Sequence, residues 1–401
     1  MHGGYMGKLA FVDLTTNRVR VEPLSESIAR QFVGGYGVGV RVLFENLPKH
    51  TDPLGPDNIL GLTAGPLTGT KAPAGSRYMA CCKSPLTGGW GDANAGGYFG
   101  SELKAAGFDA LFISGMAAAP CMLWIADGRV EIRDAAHLWG KDTFDAEAAI
   151  RSELGDPKIR VAGIGPASER LALISGIVND GGRIAARSGV GAVMGSKRLK
   201  AVAVRGSGKV PVADAAELKR LTKTFAQQIR TLPGMAQALM AQGTCGFTAG
   251  LVAGGATPIK NWRLAGEQAF PAVKEVADPA AVLRLQRRKY ACASCPIACG
   301  GICEVTSGPY PVGEVHKPEY ETIGAFGPLC LCEDLATIIK LNDMCNRSGL
   351  DTISTGHALA FVMECFEKGV LTESDTDGIR VAWGDGAAMV ALLAKMIRRE
   401  G

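Results

Sequence analysis

Three cysteines carry the most specific chemistry in the sequence. Cys292, Cys295 and Cys299 lie in YACASCPIACG at C-x2-C-x3-C. Thiolates at this spacing can converge on one metal centre without help from distant chain. Pro296 follows the second cysteine, where a fixed φ favours a turn that wraps the chain. Iron–sulfur clusters and zinc ions both use such close pairs, and either would need a fourth ligand. A site holding neither is the third reading. Cys303 is a local fourth candidate. Cys330, Cys332, Cys345 and Cys365 are others, each better read alone as a small buried hydrophobe. Upstream, RLQRRKY carries Arg284, Arg287, Arg288 and Lys289. It reads either as a solvated helix end or as a positive patch suited to an acidic electron carrier.

Three glycine-rich loops come next. AGPLTGTKAPAGSRY holds Arg77, KSPLTGGWGDANAGGYFG holds Lys83, Asp92 and Asn94, and NDGGRIAARSGVGAVMG holds Arg183 and Arg187. Small residues let backbone N–H groups approach a ligand, and guanidinium forks pair with phosphate oxygens. The Asn94 carbonyl oxygen suits a hard cation such as Mg²⁺. Ordinary turns with surface arginines are the plain alternative. GVGAVMG lacks the G-x-G-x-x-G spacing and a clean preceding strand, so no dinucleotide loop is assigned.

MCNRSGLDTIST reads as a helix ending at or near Gly349 and a second beginning around Thr355. Asn346 and Asp351 would flank the break and could bond a heterocycle's edges, although a C-cap followed by an N-cap explains the spacing equally well. KPEYET offers Glu319 and Glu321. On an extended chain they face opposite ways, so at most one would enter a pocket and move protons there. The five histidines, His2, His50, His137, His316 and His357, are scattered, which disfavours a histidine-rich metal centre.

The elements that must position these groups fall into two regions. Residues 6–20 read as strand, turn, strand. NILGLTA, RYMACCKS, DALFISG, CMLWIADGRVEIRD, RVAGIG and SKRLKAVAVRG read as further strands, with TGGWGDANAGG as loop before a short helix. After a boundary near 208–212 the period becomes helical, with Asp214 as a cap and helices at 278–289, 331–348, 354–368 and 386–399. The chain has 401 residues, enough for two domains, with 47% hydrophobic and 20% charged residues. A net charge of +4 gives no electrostatic case for nucleic acid. The 53 glycines imply many tight turns. With no apolar run long enough to span a bilayer and no signal-peptide pattern, the 12 cysteines are not a disulfide framework, and a cytoplasmic enzyme is expected.

AGPLTGT, KSPLTGG, GGYFGSELKAAGFDA, GRIAARSGVGAVMGSKRLKAVAV, CASCPIACG, PEYET and GLDTISTG, in this order and spacing, resemble the tungsten-dependent aldehyde:ferredoxin oxidoreductase family over essentially the whole chain. The resemblance implies an α+β fold. A β-rich base domain (1–210) would carry a tungsten bis-pyranopterin (tungstopterin). A mainly helical domain (211–401) would carry the iron–sulfur cysteines and one pterin motif. Family members run longer, so a third helical domain is expected to be missing and the chain truncated. By the same resemblance, Arg77 and Arg183 bind cofactor. Asn94 and the Ile184 backbone carbonyl hold a magnesium ion between the pterins. Asn346, Gly349, Leu350 and Asp351 meet one pterin, with Asn346 where the family carries aspartate. Cys292, Cys295 and Cys299 ligate a [4Fe-4S] cluster whose fourth cysteine lies beyond the chain end. Glu321 is the active-site glutamate. Lys340 and Val390 replace ligands of an intersubunit iron, which should be absent.

The implied reaction oxidises aldehydes to carboxylates, with electrons leaving through the cluster to ferredoxin or a ferredoxin-like subunit. A flavin subunit is a further candidate partner. Branches that reduce aromatic thioesters do not keep PEYE, so an aromatic acyl-CoA reductase is the second choice. A zinc-stabilised scaffold is the non-enzyme choice.

Overall fold

The computed structural model describes residues 3–231 and 233–401. It divides into two compact units. The first is Met1–Gln228 with Cys292–Pro296 and Arg347–Leu350. The second is Ile229–Ala291, Ile297–Asn346 and Asp351–Gly401.

The first unit is built on two six-stranded sheets. The first half supplies β1 (Lys8–Asp13), β2 (Arg18–Pro23), β3 (Leu60–Ala64), β4 (Tyr78–Lys83), β5 (Trp90–Ala95) and β6 (Ala110–Ser114). The second supplies β7 (Cys121–Ala126), β8 (Arg129–Asp134), β9 (Arg160–Gly163), β10 (Ile177–Asn179), β11 (Arg183–Ala185) and β12 (Leu199–Arg205). The sheet orders are β2-β1-β6-β3-β4-β5 and β8-β7-β12-β9-β10-β11, the same topology twice. Each half has one parallel pair, β1 with β6 and β7 with β12, and is otherwise antiparallel. The residues of the two halves need not match, because topology constrains only the apolar pattern.

Both sheets share one core. Leu60, Leu62, Tyr78, Phe99, Leu111 and Ile113 from the first half pack with Leu123, Ile125, Ile164, Ile177, Val202 and Val204 from the second. β3 and most of β12 are buried on both faces, so they read as continuous apolar runs rather than alternating ones. Much of the third glycine-rich loop is a fully buried helix, Val190–Ser196. A Cβ on Gly195 would lie 2.1 Å from the Ser168 carbonyl oxygen, so its glycines serve close packing.

Buried lysines tie this core together. Lys200, with no exposed side-chain surface, pairs with Glu169 at 2.5 Å and donates to the Lys141 carbonyl at 2.8 Å. Removing one member strands a buried charge, at roughly 3–5 kcal/mol. Glu169→Ala is therefore expected to lower the denaturant midpoint sharply. An unchanged midpoint would show the pair to be dispensable.

The second unit is mainly helical, with helices including Met235–Gln242, Tyr320–Phe326, Leu335–Ser348 (its last two residues in the first unit), Thr352–Glu367 and Gly386–Arg398. A small antiparallel sheet, β13 (Gln286–Tyr290), β14 (Gly300–Val305) and β15 (Val312–His316), follows β13-β14-β15 order. Helices Tyr320–Phe326 and Thr352–Glu367 approach closely at Gly356, where a Cβ would lie 2.5 Å from the Ala325 carbonyl oxygen. No helix among the described residues is long and apolar enough to cross a membrane.

Several local expectations are corrected. TGGWGDANAGG contains β5. Its inward residues are Gly91, Ala93 and Ala95, too small to announce a strand. β11 lies inside the third loop. The helix expected at 278–289 ends at Leu285, and its basic end is β13. The positive patch is also largely neutralised, since Arg287 pairs with Glu304 and Arg288 with Glu314, both at 2.8 Å. PEYET is not extended: Glu319 is the N-cap of helix Tyr320–Phe326. The helix expected near Thr355 begins at Thr352.

Candidate functional site

Asn94 stands on the half-buried face of β5, opposite Met79 of β4, and Arg77 immediately precedes β4. The exposed Arg77 donates Nε to Asn94 Oδ1 and Nη2 to the Asn94 backbone carbonyl at 3.4 Å. The other end of the amide donates Nδ2 to the Tyr36 hydroxyl at 2.5 Å. Burial holds the Tyr36 hydroxyl above its ordinary pKa.

Ile184 lies on β11, the strand that corresponds to β5 in the repeat. β5 and β11 end their respective sheets and pack against each other. The Ser188 hydroxyl pins them by donating to the Asp92 carbonyl at 2.9 Å. The fold thus brings Asn94 and Ile184 onto neighbouring edge strands. Arg183 shares β11 and is half-buried, while Arg187 beyond it is exposed.

The cysteine segment docks on the first half. Ala293 N–H donates to the Gly97 carbonyl at 3.1 Å, the Ser294 hydroxyl to the Thr70 carbonyl at 3.0 Å, and Ala74 N–H to the Ser294 carbonyl at 3.3 Å. Cys295 N–H closes a turn on the Cys292 carbonyl at 3.1 Å, with Ser294 at φ 53°. A Cβ on Gly96 would lie 2.8 Å from Cys292 Sγ, and the Arg77 guanidinium borders the same spot at 4.0 Å. Cys292 therefore sits beside the Arg77–Asn94 pair. In the second unit, Cys299 is half-buried, and its carbonyl oxygen would lie 2.6 Å from a Cβ on Gly243. Among the described residues no three His, Cys, Asp or Glu side chains are gathered into a metal-sized group.

A polar network supports Gly96 and Gly97 from below. Asn179 Nδ2 donates to the Gly96 carbonyl at 3.0 Å and to Asp180 at 2.8 Å. Asp180 also accepts from Tyr98 N–H at 2.6 Å and pairs with Arg160 at 3.1 Å. Sequence reasoning did not single out Asn179, Asp180 or Tyr36. Only the adjacency of two polar residues to a short apolar strand, IVND, hinted at the first two.

The pterin-motif segment docks on the second half in the corresponding place. Gly349, at φ 78°, accepts from Gly176 N–H at 2.8 Å, and Leu350 bridges Ser175. Each half therefore receives one inserted segment: the cysteine turn touches the connection before the fourth strand and the one after the fifth, and Arg347–Leu350 the connection before the fourth strand of its half. In the second unit, Asn346 is buried and donates to Asn342 at 3.4 Å. Asp351 is buried and caps its helix, accepting from Ser354 N–H at 3.0 Å and the Ser354 hydroxyl at 2.6 Å.

Glu321 is exposed in the first turn of helix Tyr320–Phe326. The neighbouring Glu321 carboxylate, with burial, pushes the Tyr320 phenol up to about 12. Glu319 accepts from the Thr244 hydroxyl.

Residues 9–206 match the family model for the N-terminal domain of aldehyde ferredoxin oxidoreductase, and residues 220–401 match the model for its domains 2 and 3. The chain belongs to the aldehyde ferredoxin oxidoreductase family. It is 41% identical, over its full length, to the tungsten-containing aldehyde ferredoxin oxidoreductases of Pyrococcus furiosus and Thermococcus kodakarensis, and spans 65% of the length of each. It is 32% identical to the WOR-like subunit of an aliphatic sulfonate oxidoreductase from Pyrococcus furiosus, over 99% of this chain and 65% of that one. Its fold is shared with the active site complex BamBC of benzoyl coenzyme A reductase, with a TM-score of 0.85 and 27% identity, over 100% of this chain and 61% of that one. Family membership accounts for the order in which the glycine loops, the cysteine segment and GLDTISTG occur.

Proposed function

We propose that this chain carries the cofactor-binding base and part of the redox centre of a tungsten enzyme that oxidises aldehydes to carboxylates. The observation that carries the reading is the docking of the cysteine turn beside Gly96, Arg77 and Asn94. Thiolates suited to a cluster adjoin the residues suited to a phosphorylated, magnesium-linked pterin, so electrons would have a short way out.

The residues present fit these groups chemically. Asn94 Oδ1 and the Ile184 carbonyl are hard oxygen donors on adjacent strands, as magnesium requires. Arg77 is exposed and fork-shaped, as a phosphate partner should be. Gly349, Leu350, Asn346 and Asp351 would line one pterin edge, and Arg183 would add a cation. Cys292, Cys295 and Cys299 would supply three thiolates of a [4Fe-4S] cluster. When bound, the tungsten pterin and the cluster supply the two-electron oxidation and the single-electron exit.

An aldehyde and water yield a carboxylate, three protons and two electrons. Glu321 would accept one of those protons at its carboxylate. The acceptor would be ferredoxin or a ferredoxin-like subunit, in the cytoplasm.

The fold shared with the benzoyl coenzyme A reductase complex supports a second reading, reduction of an aromatic thioester. The native protein, purified anaerobically, should reduce a viologen dye with short aliphatic or aromatic aldehydes. Activity with an aromatic acyl-CoA and a low-potential donor, but with no aldehyde, would favour the second reading instead.

A further inference from the structure

Lys104, Lys197, Lys200 and Lys317 are all buried. Burying an ammonium is costly unless something answers its charge. Lys104 faces Asp109 at 2.8 Å and Lys200 faces Glu169 at 2.5 Å. Lys197 gathers the carbonyls of Pro56, Asn58 and Gly115. Lys317 has neither arrangement. It donates to one carbonyl, that of Gln242, at 2.6 Å, and among the described residues no carboxylate lies within ion-pair distance of it. Glu319, two residues on, accepts the Thr244 hydroxyl instead.

Gln242 ends helix Met235–Gln242, so its carbonyl carries part of the negative end of the helix dipole. That dipole amounts to about half an elementary charge and leaves the rest of the ammonium's charge unanswered. The neighbouring thiols do not answer it. Burial pushes Cys303 up to about 12 and Cys245 above its ordinary value, so both stay uncharged. What does adjoin the ammonium is the third cysteine of the motif. A Cβ on Gly243 would lie 2.6 Å from Lys317 Nζ and 2.6 Å from the Cys299 carbonyl oxygen, so both border the same spot. Lys317 N–H donates to the Gly301 carbonyl at 2.8 Å, which fixes the lysine against the strand that leaves Cys299.

We propose that Lys317 is the buried counter-cation of the iron–sulfur cluster and that its charge raises the cluster's reduction potential. The proposal rests on the reading that Cys299 is a cluster ligand. A thiolate-bound cubane is a net anion whose negative charge grows by one on reduction, and charge is among the factors that set its potential. A buried cation acts on it with little screening, whereas an exposed one is screened by solvent and salt. The Gln242 carbonyl then serves to hold the ammonium in place. By stabilising the reduced cluster, Lys317 favours departure of electrons from the substrate side.

The test is a redox titration of the native, anaerobically purified protein and its variants, followed by the electron paramagnetic resonance signal of the reduced cluster. Lys317→Gln can still donate to the Gln242 carbonyl but carries no charge. Its one-electron reduction constant should fall about tenfold, a shift of about 59 mV to lower potential. Iron content and far-UV circular dichroism should stay at the native level. Lys317→Arg should keep the native potential. Lys289→Gln controls for charge alone: Lys289 is exposed and donates to the Met240 carbonyl of the same helix, so its loss should shift nothing. An unchanged potential in Lys317→Gln would overturn the proposal. Equal shifts in Lys317→Gln and Lys289→Gln, or in Lys317→Gln and Lys317→Arg, would also overturn it. So would failure of Lys317→Gln to fold, because a cation whose removal abolishes folding is already answered within the protein. Iron lost from a folded Lys317→Gln but kept by Lys317→Arg would support it, since the charge would then be holding the anionic cluster. A native protein with no iron–sulfur signal would overturn the underlying reading itself.

Discussion

Glu321→Gln is expected to lower kcat for aldehyde oxidation by about 10²–10⁴-fold, the range for loss of a positioned proton acceptor. Tungsten and iron contents should stay at the native level. Glutamine keeps the side chain's length at an exposed position, so the helix Tyr320–Phe326 is undisturbed, but it cannot take a proton. A separate optical readout accompanies the kinetics. The carboxylate is the leading cause that pushes Tyr320 to about 12. Without its charge, tyrosinate absorbance should appear at lower pH. Glu319→Gln, at a carboxylate held by the Thr244 hydroxyl instead, should change kcat little. Native kcat in Glu321→Gln, with the optical shift present, would remove Glu321 from the chemistry.

The second large effect belongs to Gly96→Ala. The added methyl group would lie 2.8 Å from Cys292 Sγ, closer than real Cβ contacts allow. Retreat on the glycine side is blocked. The Gly96 carbonyl is held by Asn179, and a Cβ on neighbouring Gly97 would lie 2.3 Å from Asp180 Oδ2, which shows how tightly that turn is seated. The cysteine turn must therefore yield, and it is held by only a few hydrogen bonds. Iron is expected to fall well below the roughly four atoms per chain of an intact cubane, with far-UV circular dichroism unchanged. Gly89→Ala, at the other end of β5, where the new methyl group would meet only the Thr87 hydroxyl at an ordinary 3.9 Å, should keep its iron. Full iron in Gly96→Ala would show that Cys292 does not need its seat.

What the sequence made legible follows from where the information sits. Hairpins such as Lys8–Pro23 are local, with turn residues and alternation in one window, and the structure has them where expected. The Asp351 cap is equally local: an acidic side chain two and three residues before the N–H groups it accepts. β5 and β11 were illegible because their inward positions are small residues or their length is three residues. The amphipathic signal needs large side chains and several periods. The cysteine spacing announced a metal-ligand segment, but not its seat on Gly97 and Thr70, because those contacts join chain positions about two hundred residues apart. Tyr36 was missed for the same reason: it is unremarkable in its own window and acquires meaning only against Asn94 on β5.

The repeat explains why the inserted segments lie where they do. Two copies of one sheet topology meet through corresponding edge strands. Each copy receives a short segment, the cysteine turn on one and Arg347–Leu350 on the other. A cofactor with two similar halves would match that arrangement.

The most direct test of the central claim is anaerobic elemental analysis of the native protein for tungsten, molybdenum, iron and zinc. The account predicts about one tungsten and about four irons per chain, with zinc substoichiometric. Stoichiometric zinc with neither tungsten nor iron would contradict it and leave a metal-stabilised scaffold in place of a redox enzyme.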